Sequence, residues 1–433
     1  MDCLNCGGHV DSTDKFCQHC GHNLINDKNN GDNITTEKIE EHHCPNCQVV
    51  VASNDKFCNN CGYHLPGTFN DKNFNHSDEQ VESHIADNTN LAQEAKNLFH
   101  HTTKSIGKLA GNEEALKLNL GDMFSEVFKR HTKDEADDIF IAGTRSTTPH
   151  INNVSKEWGK PWVFSRVFVA LAITFIGLWV LFNTFGNDNA LPGMIFIGAL
   201  VVPISALIFF FESNAFRNIS FFEVLKMFFI GGVLSLLTTI ILYDFAPFSL
   251  QNQLLGIMTV ADAFLVGLVE ELGKAIIVIL FINYLHTNKI LNGLLIGAAI
   301  GAGFDAFETA GYIFRDGIQS IQLMNETIIL RAWSALGGHI VWAAMVGAAA
   351  VIAKGTYQFK WENIIDKRFL FFFFFAVVLH GIWDTDFTVL GSMNLKIIIL
   401  IVIAWVIIFI LMRAGLTQVN KLQQQYIEER EEL

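Results

Sequence analysis

Eight apolar stretches, each 18–26 residues long, fill most of the chain beyond Trp162: Val163–Phe182, Leu191–Phe211, Phe221–Tyr243, Thr259–Tyr284, Leu291–Phe314, Ala332–Ala353, Phe369–Phe387 and Leu395–Met412. About 20 apolar residues in a helix cross a hydrocarbon core of roughly 30 Å, and lipid obliges every backbone polar group to find its partner inside the segment. The fold class that follows is an all-α polytopic membrane protein of about eight transmembrane helices. A content of 51% hydrophobic residues and 38 Phe in 433 residues excludes a single soluble domain.

The polar N-terminal region reads differently. Cys3, Cys6, Cys17 and Cys20 form one set with Cys-x-x-Cys spacing at both ends, and Cys44, Cys47, Cys58 and Cys61 repeat it. Asp-Lys-Phe precedes the third cysteine of each copy and Gly21 or Gly62 follows the fourth, as a tight knuckle turn needs. Four thiolates suit tetrahedral zinc, and units this short bury too little apolar surface to fold without a metal or cross-links. We therefore expect two structural zinc ions, one per module. His9, His19, His22, His42, His43 and His64 lie nearby but exceed the coordination requirement and are read as solvated surface. The modules resemble the zinc ribbons at the N-termini of many bacterial membrane proteins, which implies a cytoplasmic interaction module without catalysis.

The expected organisation is ribbon 1 over residues 1–24, a linker over 25–42 and ribbon 2 over 43–66. A polar linker with juxtamembrane helices follows over 67–160, then a membrane domain over 161–414 and a tail over 415–433. The linkers are rich in Asn, Asp, Lys, Ser and Thr and are expected to be mobile. Between them and the membrane, Leu91–Phe99 has helical character, and Met123, Phe124, Val127 and Phe128 share one face of a second candidate helix. The formal charge of −13 averages two unlike parts, and no Lys/Arg stripe with interleaved aromatics is present, so nucleic acid is not an expected partner. The first residues show no basic and apolar leader pattern, which predicts a cytoplasmic start.

Loop charge orients the helices. The segments after the first, third and seventh stretches carry no Lys or Arg, whereas the alternate ones carry Arg217, Lys289, and Lys354 with Lys360, Lys367 and Arg368. Both termini are therefore expected in the cytoplasm. Arg315 and Arg331 fall on the predicted outer side against this trend.

Ionisable residues interrupt the apolar stretches at Glu270, Glu271, Lys274, Glu308, His339, His380 and Asp384. A charge at the centre of a spanning helix costs about 2.5–3.5 kcal/mol on insertion scales, so such residues mark function by default. On the deduced topology the four motifs that carry them converge on the outer half of the membrane. Glu270 and Glu271 lie about 100° apart around a helix, so one of them faces a shared cavity, and Lys274 follows at i+4 and i+3. Gly297, Gly301 and Gly303 permit close helix approach, as do Gly337 and Gly338. Asn292 and Asp305 are further candidates for the cavity wall, and Phe371–Phe375 reads as a packing or lipid-facing surface. Carboxylates and imidazoles in a partly dry cavity have the ingredients of general acid–base hydrolysis.

Glu270-Glu271-x-x-Lys274, Phe304-x-x-x-Glu308, His339 after Arg331, and His380-x-x-x-Asp384 resemble the four motifs of the PrsW family, which is similar to the CAAX-protease and bacteriocin-processing superfamily of intramembrane endopeptidases. The resemblance implies site-1-type cleavage of membrane proteins such as anti-sigma factors, at the outer side of a bacterial membrane. It further implies Glu270 as the base that activates water and His339 and His380 as stabilisers or proton shuttles, oriented by Glu271, Glu308 and Asp384. Relatives often end the last motif in Asn, whereas residue 384 here is Asp. The expected surroundings are a membrane-protein substrate, the lipid bilayer and a cytoplasmic protein partner for the ribbons.

Two other classes use similar residues. A transporter would show paired broken helices or inverted repeats. A metalloprotease could ligate zinc through Glu308, His339 and His380, but His-Glu-x-x-His is missing, and a catalytic metal is not expected. A scaffold that works through its ribbons alone has no use for the acidic motifs. Replacing Cys17 and Cys20 by Ser should remove about half of the ribbon-bound zinc, one tetrahedral site of two. Elemental analysis of the purified chain measures this, and unchanged zinc would contradict the assignment of the first cysteine set.

Overall fold

A computed structural model describes residues 3, 9–11, 16–17, 42–44, 49–51, 58, 82–112, 114–248 and 258–431. The chain divides into two compact units, Met1–Leu91 and Ala92–Leu433. In the first, β1 (His42–His43) pairs antiparallel with β2 (Val50–Val51), with His42 opposite Val51. The Cys44 N–H bonds the Val49 carbonyl across 2.8 Å, closing the hairpin that the second cysteine set begins. Cys44 and Cys58 are buried with Val51, and Cys3 and Cys17 with Val10. Cys6, Cys20, Cys47, Cys61, nearly all of the first linker and residues 67–81 of the second lie outside the described residues.

After α1 (Glu82–Leu109), the second unit continues with two short helices, α2 (Leu120–Met123) and α3 (Lys133–Phe140). The helix expected through Phe128 stops at Met123: Met123 is buried and Phe124 packs on Phe164 and Phe209, but Phe128 is exposed. The spanning elements are α4 (Val163–Asn183), α5 (Leu191–Glu212), α6 (Phe221–Lys226) continued by a π-turn (Met227–Gly231) into α7 (Gly232–Tyr243), and α8 (Val260–Tyr284). They continue with α9 (Ile290–Gln319), α10 (Ile321–Ser334), α11 (His339–Lys354), the short α12 (Trp361–Ile364), α13 (Lys367–Asp384) and α14 (Met393–Glu431).

Among the described residues, six candidate spans are long and apolar enough to cross a membrane by length and composition. The two expected spans left out of that count are α8 and α13, because each carries more charge than a lipid-facing helix tolerates. They are also the helices of the first and last acidic motifs. The membrane part stands as expected, an all-helical bundle with an approximate span count.

α9 and α11 form the innermost pair; their most apolar stretches are 94% buried, against 6% for the peripheral α4. Small residues make this possible. A Cβ on Gly293 would stand 2.5 Å from the Gly347 carbonyl oxygen, one on Gly297 only 2.0 Å from that of Ala343, and one on Gly301 2.4 Å from that of His339. The repeat at every fourth residue lays these glycines along one face, and the backbones meet there. Between α8 and α13 the same role falls to Gly267 and Gly381, which abut each other.

At the opposite end from the acidic motifs, Glu212 ends α5 and its carboxylate accepts the N–H groups of Trp162, Val163 and Phe164 at 2.8–2.9 Å, capping α4. The continuation of α14 past Met412 packs here too: Arg413 pairs with Glu114 at 2.9 Å, and Gln423 donates to the carbonyls of Ile151 and Val154. Phe372 and Phe373 of the phenylalanine run are buried and Phe374 is exposed, so the run both packs and faces outward.

Gly297→Leu should prevent the α9–α11 approach, because overpacking a tight contact costs about 1–3 kcal/mol or more. The control is Gly311→Ala, at a position with open space around it. Unfolding in detergent should show Gly297→Leu strongly destabilised and Gly311→Ala at wild-type stability; equal stabilities would contradict the packing.

Candidate active site

The capping box of Thr259 with Asp262 begins α8, and Glu270, Glu271 and Lys274 follow about three turns in. Glu308 lies in the later part of α9, His339 is the first residue of α11, and His380 and Asp384 close α13. Consecutive helices run in alternating directions, so these positions meet at one end of the bundle. The structure brings all six predicted residues, Glu270, Glu271, Glu308, His339, His380 and Asp384, into one cluster around Lys274.

Lys274 is fully buried. Its Nζ lies 2.7 Å from Glu271 Oε1, 2.7 Å from His339 Nδ1 and 3.8 Å from Glu270 Oε2, and 4.4 Å from the centre of the Phe304 ring. An ammonium only donates, so His339 Nδ1 accepts and the proton of the neutral ring sits on Nε2, which donates to Glu308 Oε2 at 3.1 Å. Glu308 is held in turn by Arg331 of α10, whose Nε donates to Thr309 Oγ1 at 2.8 Å. On the other side Glu271 Oε1 stands 2.9 Å from His380 Nδ1. A proton donated to it there leaves Nε2 facing Glu270 Oε2 at 3.7 Å and Asp384 Oδ2 at 3.4 Å. The Trp342 ring stacks on His380 with centroids 4.5 Å apart and fixes the imidazole plane.

The two adjacent glutamates divide as the helix period requires. Glu271 is 0% exposed and serves Lys274 and His380 from behind, whereas Glu270 lines a cavity of about 230 Å³ with Asp305, Glu308, Arg331, His339, His380 and Asp384. Tyr243 donates its hydroxyl to Glu270 Oε1 at 2.8 Å. The other oxygen, Oε2, is buried without a hydrogen-bond partner, 3.7–3.9 Å from Lys274 Nζ, His339 Nδ1 and His380 Nε2. Ligand atoms of Glu270, His339 and His380 lie within 4.8 Å of one another, as do those of Asp305, Glu308 and His339. Both groups have the donor chemistry of a divalent metal site.

Asn292 is not part of the cluster; it bonds Asn214 and Thr287 elsewhere in the bundle. Asp305 is part of it, with Oδ1 4.0 Å from Arg331. Sequence reasoning did not assign Tyr243, Arg331 or Trp342 to the site. Arg331 had left a trace, as a cation on the side of the membrane where loop charge predicts none.

Residues 222–412 match the family model described as PrsW family intramembrane metalloprotease, and residues 3–62 match the double zinc ribbon. No curated protein and no solved structure matches the chain. The ribbon match supports zinc binding at the N-terminus.

Lys274→Met would leave Glu271 and its neighbours without their cation, and removing one partner of a buried pair costs about 3–5 kcal/mol. Unfolding in detergent should register that loss, and adding Glu271→Gln should recover part of it. Failure of the second change to recover any stability would contradict the pairing as the source of the loss.

Proposed function

The membrane domain of this chain belongs to the PrsW family, and on that premise we propose an intramembrane endopeptidase that hydrolyses peptide bonds of membrane proteins with a water activated by Glu270. The observation that carries the reading is the unpartnered Oε2 of Glu270, buried at the cavity wall and faced by Lys274, His339 and His380 at 3.7–3.9 Å. A water in the cavity beside it gives its proton to Glu270 and attacks the scissile carbonyl. His380 Nε2 relays that proton to the leaving amine, with Glu271 holding the opposite ring nitrogen. Arg331 on the cavity wall, with Lys274 behind it, supplies positive charge against the developing oxyanion. Glu308 orients His339, and Asp384 orients His380.

The loop charges support a membrane topology with both termini cytoplasmic and the site in the outer half of the bilayer, and the family resemblance points to a bacterial cell membrane. That geometry suits site-1-type cutting of a substrate such as an anti-sigma factor, with the ribbons left to engage a cytoplasmic protein.

A second reading has its own support. The ligand atoms of Glu270, His339 and His380 gathered within 4.8 Å fit a divalent ion, as does the orphaned Glu270 oxygen. A metal held there would polarise the carbonyl and acidify a bound water. In either reading Glu271 orients His380, whereas a metal on His339 would replace the bond that its ligating nitrogen makes to Lys274 or Glu308.

Cleavage of a single-pass membrane reporter by the purified full chain tests both readings. Glu270→Gln and His380→Ala should each lower kcat at least about 100-fold, the scale of losing a general base or acid. Elemental analysis of wild type beside His380→Ala separates the mechanisms. Equal metal content supports water activation without metal, whereas loss of an ion on His380→Ala supports the metalloprotease reading. Undiminished cleavage by Glu270→Gln would overturn the role given to Glu270.

A further inference from the structure

Glu270 has two carboxylate oxygens, and the fold treats them differently. Oε1 accepts the hydroxyl of Tyr243 at 2.8 Å, while Oε2 has no hydrogen bond and faces the two imidazoles. Which oxygen faces the cavity therefore depends on a residue from α7, outside the four motifs. Tyr243 ends α7 and is half-buried. Its ring packs beside Phe248, with centroids 5.6 Å apart.

Two features of the fold set the position of this hydroxyl. One turn earlier on the same helix, Thr239 sits against Gly273 of α8, where a Cβ would stand 2.2 Å from Thr239 Oγ1. That contact brings α7 close enough to α8 for a tyrosine to reach Glu270. Upstream, the π-turn Met227–Gly231 lies against α9, where Gly303 would carry a Cβ 2.0 Å from the Phe228 carbonyl oxygen. A π-turn adds about one residue to the helical repeat and so rotates everything after it by about 100°. With an uninterrupted α-helix the Tyr243 side chain would leave the α8 side of the helix.

We propose that Tyr243 is a positioning residue for peptide hydrolysis: by donating to Oε1 of Glu270 it fixes the carboxylate rotamer that turns Oε2 toward His339, His380 and the cavity. The proposal rests on Glu270 acting on water or metal as read above. Tyr243 touches no reacting atom in this arrangement, so its removal acts through Glu270 alone. A carboxylate freed of that bond turns away from the imidazoles in part of the molecules, and only the chemical step slows.

The test compares wild type, Tyr243→Phe, Tyr243→Leu and Glu270→Gln on a single-pass membrane reporter, with kcat and KM determined separately and thermal unfolding followed in the same detergent. Tyr243→Phe keeps the ring and loses the bond, so kcat per folded molecule should fall roughly 10- to 100-fold with KM unchanged, and the unsatisfied Oε1 should lower the unfolding temperature while leaving the protein folded at the assay temperature. Tyr243→Leu should lower kcat to the same extent per folded molecule. In the Glu270→Gln background Tyr243→Phe should have no further effect, because the carboxylate it positions is gone. Wild-type kcat in Tyr243→Phe with an inactive Glu270→Gln overturns the proposal and leaves the hydrolytic reading standing. Normal cutting by Glu270→Gln overturns that reading itself. A raised KM at unchanged kcat, or a loss of activity that only follows a loss of folded protein, also overturns the positioning role.

Discussion

The site depends on one buried ammonium. Lys274 Nζ touches Glu271 Oε1 and His339 Nδ1 at 2.7 Å each, from a side chain with 1% exposure. A lysine or a glutamate in such surroundings is costly alone, and each becomes tolerable only through the other. The same contacts carry chemical information. Because an ammonium cannot accept a hydrogen bond, the tautomer of His339 follows from its neighbour, and because Glu271 is committed to Lys274 and His380, the second imidazole has its orientation too. One charge pair in the wall thus sets the orientation of two imidazoles at its surface.

Such a cluster needs helices that approach more closely than ordinary side chains permit. The glycines of α9 against Ala343 and Gly347 of α11, and Gly267 against Gly381 between α8 and α13, bring the backbones into contact just below and beside the polar groups. In lipid the hydrophobic effect gives no reason for two apolar helices to associate, so close packing and hydrogen bonds must do it. The glycine faces and the ionic cluster are therefore two parts of one solution. The glycines let the helices meet, and the charged residues make separation unfavourable.

Much of this was legible in the sequence, and the failures have physical causes. The helices follow from hydrophobic length, and the shared depth of the acidic motifs follows from alternating direction and loop charge, needing no tertiary information. The division of labour between Glu270 and Glu271 follows from the helical period. Tyr243 was invisible because its role depends on a π-turn sixteen residues upstream at Met227, and a single extra residue in a helical repeat leaves no mark in an apolar run. Phe128 misled for a related reason: its spacing matches a helix face, but the helix ends at Met123 and the phenylalanine is exposed. Arg331 was readable as an exception to the charge rule, and its partner Glu308 explains the exception.

The balance of charge bears on the hydrolytic role proposed for this site. Five carboxyl groups, Glu270, Glu271, Asp305, Glu308 and Asp384, gather around two cations, Lys274 and Arg331, and two imidazoles. Glu271 and Glu308 are matched directly by those cations. Glu270 Oε2, Asp305 Oδ2 and the second oxygen of Glu271 nevertheless find no donor among the protein groups around them, and of these three residues only Glu270 and Asp305 line the cavity. Acceptors in surplus within a low-dielectric cavity draw in whatever donates hydrogen bonds or carries positive charge. In the proposed function, water reaching the cavity donates to Glu270 Oε2, and that is the proton its activation must remove. The electrostatic imbalance left by the folded wall therefore faces the cavity, while Tyr243 occupies the other oxygen of Glu270.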